Sequence, residues 1–239
     1  MEALPLSERG LLSVSEAARE LGVSAQRVRA LVADGRLDAY RAGRVLLIPA
    51  ESLADRAAAA PGGGRPWSAA MAWAALLLLD GDPAGADALG SRDRWRLRQR
   101  LAAADDLLGL APRFVNRAAV RPFAGHSSIP ARIVGDGVRS GISAAGVLGL
   151  DLIDDGSVAD VYVPAGMVAG LRDRYRLVPA AGRAANVLLR VVADDAWALA
   201  GRQVAPRGAV ALDLAHANDS RSRAAAVQLA ARVWVEADW

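Results

Sequence analysis

Apolar positions recur at helical spacing over residues 13–34. Ala17, Ala18 and Leu21 form one stripe, and Val28, Leu31 and Val32 form a second. Ser13 followed three residues later by Glu16 is a capping box that starts the first helix. Gly22 ends that helix, and Val23 is expected to bridge the turn to the core. Ser24 caps the second helix. Gln26, Arg29, Ala30 and Ala33 fall on its opposite face, with Arg27 on the flank, and Asp34-Gly35 stops it. Residues 37–48 then divide into two strand-like runs around Arg41-Ala42-Gly43-Arg44, with Gly43 serving the turn. Pro49 opens a further short helix over 50–60, with Leu53 facing inward.

Beyond residue 66 the pattern changes. A nearly continuous apolar helix is predicted from Pro66-Trp67-Ser68 to Leu79, ended by Asp80-Gly81-Asp82-Pro83. A second helix is predicted over 91–110. Leu97, Leu101, Ala104 and Leu108 form its apolar stripe, Arg92, Arg94, Arg96, Arg98 and Arg100 cover the rest, and Trp95 stands at the edge. Residues 113–123 alternate loosely and predict one or two strands, while 158–163 and 187–192 are compact β-branched strands. A helix over 166–175 separates those two strands, and the pattern leaves open whether they are parallel neighbours. Helices over 207–217 and 220–235 close the chain, divided by the stop-and-cap signal Asn218-Asp219-Ser220.

Residues 57–66, Ala-Ala-Ala-Ala-Pro-Gly-Gly-Gly-Arg-Pro, sustain neither helix nor strand and read as a linker. A phosphate-binding loop is disfavoured here, because the Walker lysine and its Ser/Thr are missing and there is no G-x-G-x-x-G. The predicted class is α+β: a small winged helix-turn-helix over 1–60, a Gly/Pro linker over 61–66 and a mixed α/β domain over 67–239.

Composition narrows the chemistry. With 239 residues, 53% hydrophobic and 23% charged, the chain can bury a core. It has no cysteine, which excludes disulfides, Cys-based zinc sites and a thiol nucleophile. The two histidines, His126 and His216, are too few for a His-rich metal centre. All 29 basic residues are arginine, a pattern that reads as genome composition rather than phosphate binding. The net charge is only +3, so any nucleic-acid surface must arise from local placement. Residues 1–60 balance eight arginines with eight acids, 61–130 carry nine against six, and 131–239 carry twelve of each. The five arginines at 92–100 are the densest basic patch, suited to nucleic acid or an acidic partner, or else a solvated face. No targeting segment is apparent and the apolar run 69–79 is too short to span a bilayer, so a cytoplasmic location is expected.

The search for a reaction centre fails. The acid pairs Asp105-Asp106, Asp154-Asp155 and Asp194-Asp195 read as caps or solubilising residues. Gly90-Ser91 faintly suggests a nucleotidyltransferase opening, but the D-x-D needed for Mg²⁺ is missing. G-x-S-x-G, H-E-x-x-H and Walker motifs are absent from the sequence. His126 is expected in a helix-capping loop and His216 as a packed histidine. The expectation is therefore a non-enzyme with no catalytic residues, metal or cofactor.

Two short helices, a Gly-containing turn and a following hairpin form the helix-turn-helix pattern, whose second helix enters the major groove. The segment LSVSEAARELGVSAQRVRALVADGRLDAYRAGRVLLIP resembles the excisionase/MerR type of winged helix-turn-helix. The DNA-binding residues expected from this are Ser24, Gln26, Arg27, Arg29, Ala30 and Arg36, with Arg41 and Arg44 at the tip of the hairpin. The plainer alternative is an αα-hairpin used for packing or dimerisation.

Over most of the chain, RPWSAAMAWAALLLLDG, RDRWRLRQRL, FVNRAAVRPFAGH, DVYVP, ANVLLRVV and ALDLAHANDSRSRAAA resemble AbiEi-type antitoxins of actinobacterial abortive-infection systems. The winged helix departs from many members by its closeness to excisionases. The resemblance implies an autorepressor that binds double-stranded DNA at its own promoter. Glu16 and Glu20 balance the arginines of the helix-turn-helix, so a single copy should bind modestly and a homodimer or two half-sites are expected. It also implies a second domain that counters a co-encoded AbiEii-like nucleotidyltransferase toxin. Two other classes are a one-component regulator, which a tryptophan-lined pocket would favour, and an excisionase-like recombination accessory protein.

Overall fold

In the computed structural model the chain forms two compact units, Met1–Gly62 and Gly63–Trp239. The structure describes residues 11–21, 23–33, 37–43, 45–50, 52–53, 65–180, 182–217 and 219–237. Most of the segment 61–66 read as a linker lies outside them, as do 54–60 of the short helix.

The first unit contains β1 (Leu11–Ser13), α1 (Val14–Glu20), α2 (Ala25–Ala33), β2 (Tyr40–Ala42) and β3 (Val45–Pro49). The capping box is formed. The Ser13 amide donates to Glu16 Oε2 at 2.7 Å, and the Glu16 amide donates to Ser13 Oγ at 3.2 Å. Ala17, Ala18, Val28, Leu31, Leu37, Ile48 and Leu53 make the core, with Leu21 and Val32 packed at its edge. Val23 departs from expectation. Its amide donates to Ala18 O at 3.0 Å, which turns the side chain into solvent rather than toward the core. The hairpin β2–β3 turns at Gly43, whose φ of 62° suits glycine. Sequence periodicity did not predict β1. It is three residues long and exists as a strand only through antiparallel pairing with β3, giving the order β1-β3-β2.

The second unit is built from α3 (Ala69–Leu79), α4 (Ser91–Ala102), β4 (Ala119–Ala124), α5 (Ile129–Ile133), β5 (Val138–Arg139), β6 (Ala159–Pro164), α6 (Met167–Tyr175), β7 (Val178–Pro179), β8 (Val187–Val192), α7 (Arg207–Ala215) and α8 (Ser220–Glu236). Its sheet has the order β5-β6-β8-β4-β7. β6 and β8 are parallel neighbours joined through α6, and the other pairs are antiparallel. Period-two alternation separates the two faces of the central strands. Ala159, Val161 and Val163 of β6 join Val187, Leu189 and Val191 of β8 in one apolar cluster with Val168 and Leu171 of α6. Tyr162 and Val192 belong to a second, larger cluster with α3, α7 and α8.

Several boundaries differ from the sequence pattern. α3 begins after Ser68, whose Oγ accepts the Met71 amide at 3.3 Å, so Pro66 and Trp67 lie outside it. α4 stops at Ala102 instead of continuing to 110, and Asp106 Oδ1 takes the Gly109 amide at 2.7 Å to form a separate turn. The expected strand over 113–123 is half 3₁₀ helix, Ala111–Arg117, because Pro112 sits in its first turn and buried Phe114 and Arg117 share the i, i+3 side. α7 ends at Ala215, two residues early. Asp219 caps α8 by accepting the Ser222 amide at 2.7 Å, while Asn218 lies outside the described residues.

Candidate nucleic-acid interface

α2 is anchored on one side and open on the other. Val28 and Leu31 are buried, which fixes the rotation of the helix. Gln26, Arg27 and Arg29 are then exposed, and Ala30 is half-buried. Ser24 Oγ accepts the Arg27 amide at 3.2 Å, so the cap is spent on the helix start. Arg41 is exposed on β2, opposite Leu46 of β3. Arg27, Arg29 and Arg41 have no ion-pair partner among the described residues. Arg36 and Arg44 lie outside the described residues. Tyr40, beside Arg41, is 63% exposed. In the sequence it ends a strand-like run, where an aromatic ordinarily points to a core. A helix presenting one amide and two guanidinium groups has the shape and donors to meet base edges and phosphates in a major groove.

The cluster on α4 is not uniform. Arg94 Nη1 pairs with Asp87 Oδ1 at 2.7 Å, and Arg96 lies 3.7 Å from Asp93. Arg92, Arg98 and Arg100 are exposed without an ion-pair partner among the described residues.

The second unit also holds a buried charged network that sequence reasoning missed. Asp213 of α7 pairs with Arg117 and with Arg190 Nη1 at 2.8 Å, and it accepts the Ser140 hydroxyl. Arg190 also grips Asp160 through two bonds of 2.6 and 2.7 Å, and Arg117 Nε donates to the Tyr162 hydroxyl at 3.0 Å. Burial alone would raise the Asp213 carboxyl, but Arg190, Arg117 and Ser140 outweigh it and hold it below the usual carboxylate range. Burial pushes Asp160 upward, which Arg190 only partly offsets. Burial opposes the charge on both arginines, yet their anionic neighbours keep them raised. The available signal was a lone charge inside each apolar run, in ADVYV, VLLRVV and VALDLA.

Asp160, Arg190 and Asp213 line a cavity of about 600 Å³, with Ile142, Leu152 and Leu188 among its walls and no tryptophan. His216 sits at its edge, with Nδ1 2.7 Å from Leu212 O. His126 precedes α5, where its Nδ1 lies 3.3 Å from the Ser128 amide. Members of the acid pairs accept backbone amides. Asp154, Asp155 and Asp194 accept the amides of Gly156, Ser157 and Gly166 at 3.0, 2.9 and 3.0 Å. Among the described residues, no group of three or more His, Asp or Glu is placed to hold a metal ion, and no helix is long and apolar enough to cross a membrane.

Residues 11–60 match the family described as a helix-turn-helix domain. A curated relative, a probable excisionase from Saccharopolyspora erythraea, is 43% identical over 53 residues, which is 22% of this chain and 54% of the relative. The chain thus spans about half the length of the curated relative it matches. No solved structure matches.

Proposed function

We propose that the chain is a DNA-binding antitoxin and autorepressor. Its helix-turn-helix unit binds double-stranded DNA at its own promoter, with the β2–β3 hairpin as a wing. Its second unit neutralises a co-encoded AbiEii-like nucleotidyltransferase toxin. The protein works in the cytoplasm as a non-enzymatic homodimer, whose two recognition helices meet two half-sites on the duplex. The observation that carries the DNA-binding reading is the helix-turn-helix match over residues 11–60, with Gln26, Arg27 and Arg29 exposed on one side of α2. The antitoxin assignment rests on the resemblance of the longer chain to AbiEi proteins.

A growth assay tests that assignment. The neighbouring open reading frame is expressed alone and then with residues 66–239. Toxicity relieved by the fragment supports neutralisation independent of repression. A harmless neighbour, or toxicity that a folded fragment leaves intact, removes the antitoxin reading. DNA binding is tested separately on the upstream duplex. Arg29→Ala is expected to cost about 1–3 kcal/mol if it reads a base edge. Arg41→Ala should weaken all sequences evenly and flatten the salt dependence. Normal binding by the double variant Arg27→Ala, Arg29→Ala would show that α2 is not the recognition helix. The similarity to a probable excisionase supports a second reading, a recombination accessory protein, for which the bound duplex would be a recombination site rather than the promoter.

A further inference from the structure

The exposed side of α4 carries an arrangement that neither the DNA-binding unit nor the buried network uses. Leu97 and Leu101 are buried and fix the inward side of Ser91–Ala102. At 100° per residue the outward side carries Arg92, Trp95 and Gln99, three and four residues apart along one ridge. Arg98 is the other one-turn neighbour of Trp95. Trp95 is 63% exposed and makes no ring contact among the described residues. Arg94 and Arg96 are tied to Asp87 and Asp93, whereas Arg92, Arg98 and Arg100 are free of ion pairs among the described residues. The result is an open indole with Arg92 and Arg98 one turn to either side, neither ion-paired among the described residues.

Genome composition accounts for exposed arginines but not for an exposed indole among them. An acidic peptide would use the charges and leave the ring without a matching surface. Duplex DNA offers phosphates, but its base faces are already stacked. Unpaired nucleotides offer both a phosphate for each guanidinium and a π-face for the indole. RNA displays such bases in its loops and ends, where aromatic rings and guanidinium planes stack on them. The geometry points to α4 as a docking face for single-stranded RNA, with a base stacked on Trp95 and phosphates on Arg92 and Arg98. Gln99 stands one turn along, with both a donor and an acceptor for a base edge. This assignment does not depend on how α2 binds DNA.

The test uses the full chain carrying Arg27→Ala and Arg29→Ala, so that α2 contributes little. Fluorescein-labelled single-stranded RNA is titrated by anisotropy, with single-stranded DNA, duplex DNA and polyglutamate as competitors. RNA is expected to bind best. Trp95→Ala should weaken binding roughly 5- to 150-fold. Arg92→Ala with Arg98→Ala should lower the log–log salt slope by about 1.4, since each phosphate contact on a single strand contributes about 0.7. Arg94→Ala with Arg96→Ala removes the same charge from paired positions and should change binding less. All these side chains are largely outside the core, so unchanged thermal melts will show that the variants are folded. Equal loss in the two arginine pairs, no effect of Trp95→Ala, or equal or better competition by single-stranded DNA, duplex DNA or polyglutamate overturns the proposal.

Discussion

Asp213 uses one carboxylate to hold two guanidinium groups and a hydroxyl inside the second unit. Removing it leaves Arg117 and Arg190 buried with too little counter-charge. Asp213→Ala should therefore cost about 3–5 kcal/mol of stability at neutral pH, measured by urea denaturation. The acid dependence has a definite sign. The folded-state carboxyl lies below its unfolded value, so its contribution is complete above about pH 4 and is lost as pH falls through the depressed value. The gap between wild type and Asp213→Ala should narrow below about pH 4. A gap that stays constant into acid would mean that the charge on Asp213 is not what stabilises the network. Asp160 shares Arg190 with Asp213, so the same variant also removes a like charge that helps hold the Asp160 carboxyl up.

The elements show which parts of the fold local sequence can specify. Strand β8 occupies 187–192 as its β-branched run predicts, and the caps at Ser13, Ser24, Ser68 and Asp219 all form. Each cap is decided by neighbours within four residues. β1 and the burial of Arg117, Asp160, Arg190 and Asp213 depend on partners far along the chain, and periodicity carries no such information. The exposed side of α2 could be read from its apolar stripe, whereas the division of the α4 arginines into paired and free depended on where Asp87 falls. Gly85 is another long-sighted position. A Cβ there would lie 2.3 Å from Leu77 Cβ, so the 3₁₀ turn Pro83–Ala86 sits against α3 only because that atom is missing. Gly85→Ala should cost about 1–3 kcal/mol by overpacking, visible as a lower denaturation midpoint. Wild-type stability in that variant would show that the turn moves freely away from α3.

At the scale of the whole molecule, each unit has its own core, and the two differ in size. Among the described residues, seven buried hydrophobic residues support the first unit, whereas two clusters and the charged network support the second. A unit of about 60 residues buries a smaller fraction of its surface and is marginal alone. The full chain should therefore unfold in two calorimetric steps, with residues 66–239 alone reproducing the upper one. Ligand linkage then says which step belongs to which function. Duplex promoter DNA at a hundred times its dissociation constant stabilises the unit that binds it by about 2.7 kcal/mol. For a unit this small, that raises the midpoint by roughly 10–20 °C. If the helix-turn-helix carries the DNA contacts, the lower step moves and the upper one stays. Arg27→Ala with Arg29→Ala should abolish the shift without lowering either midpoint, because both side chains are exposed. Movement of the upper step instead would place the DNA contacts in the second unit and leave α2 to packing or dimerisation.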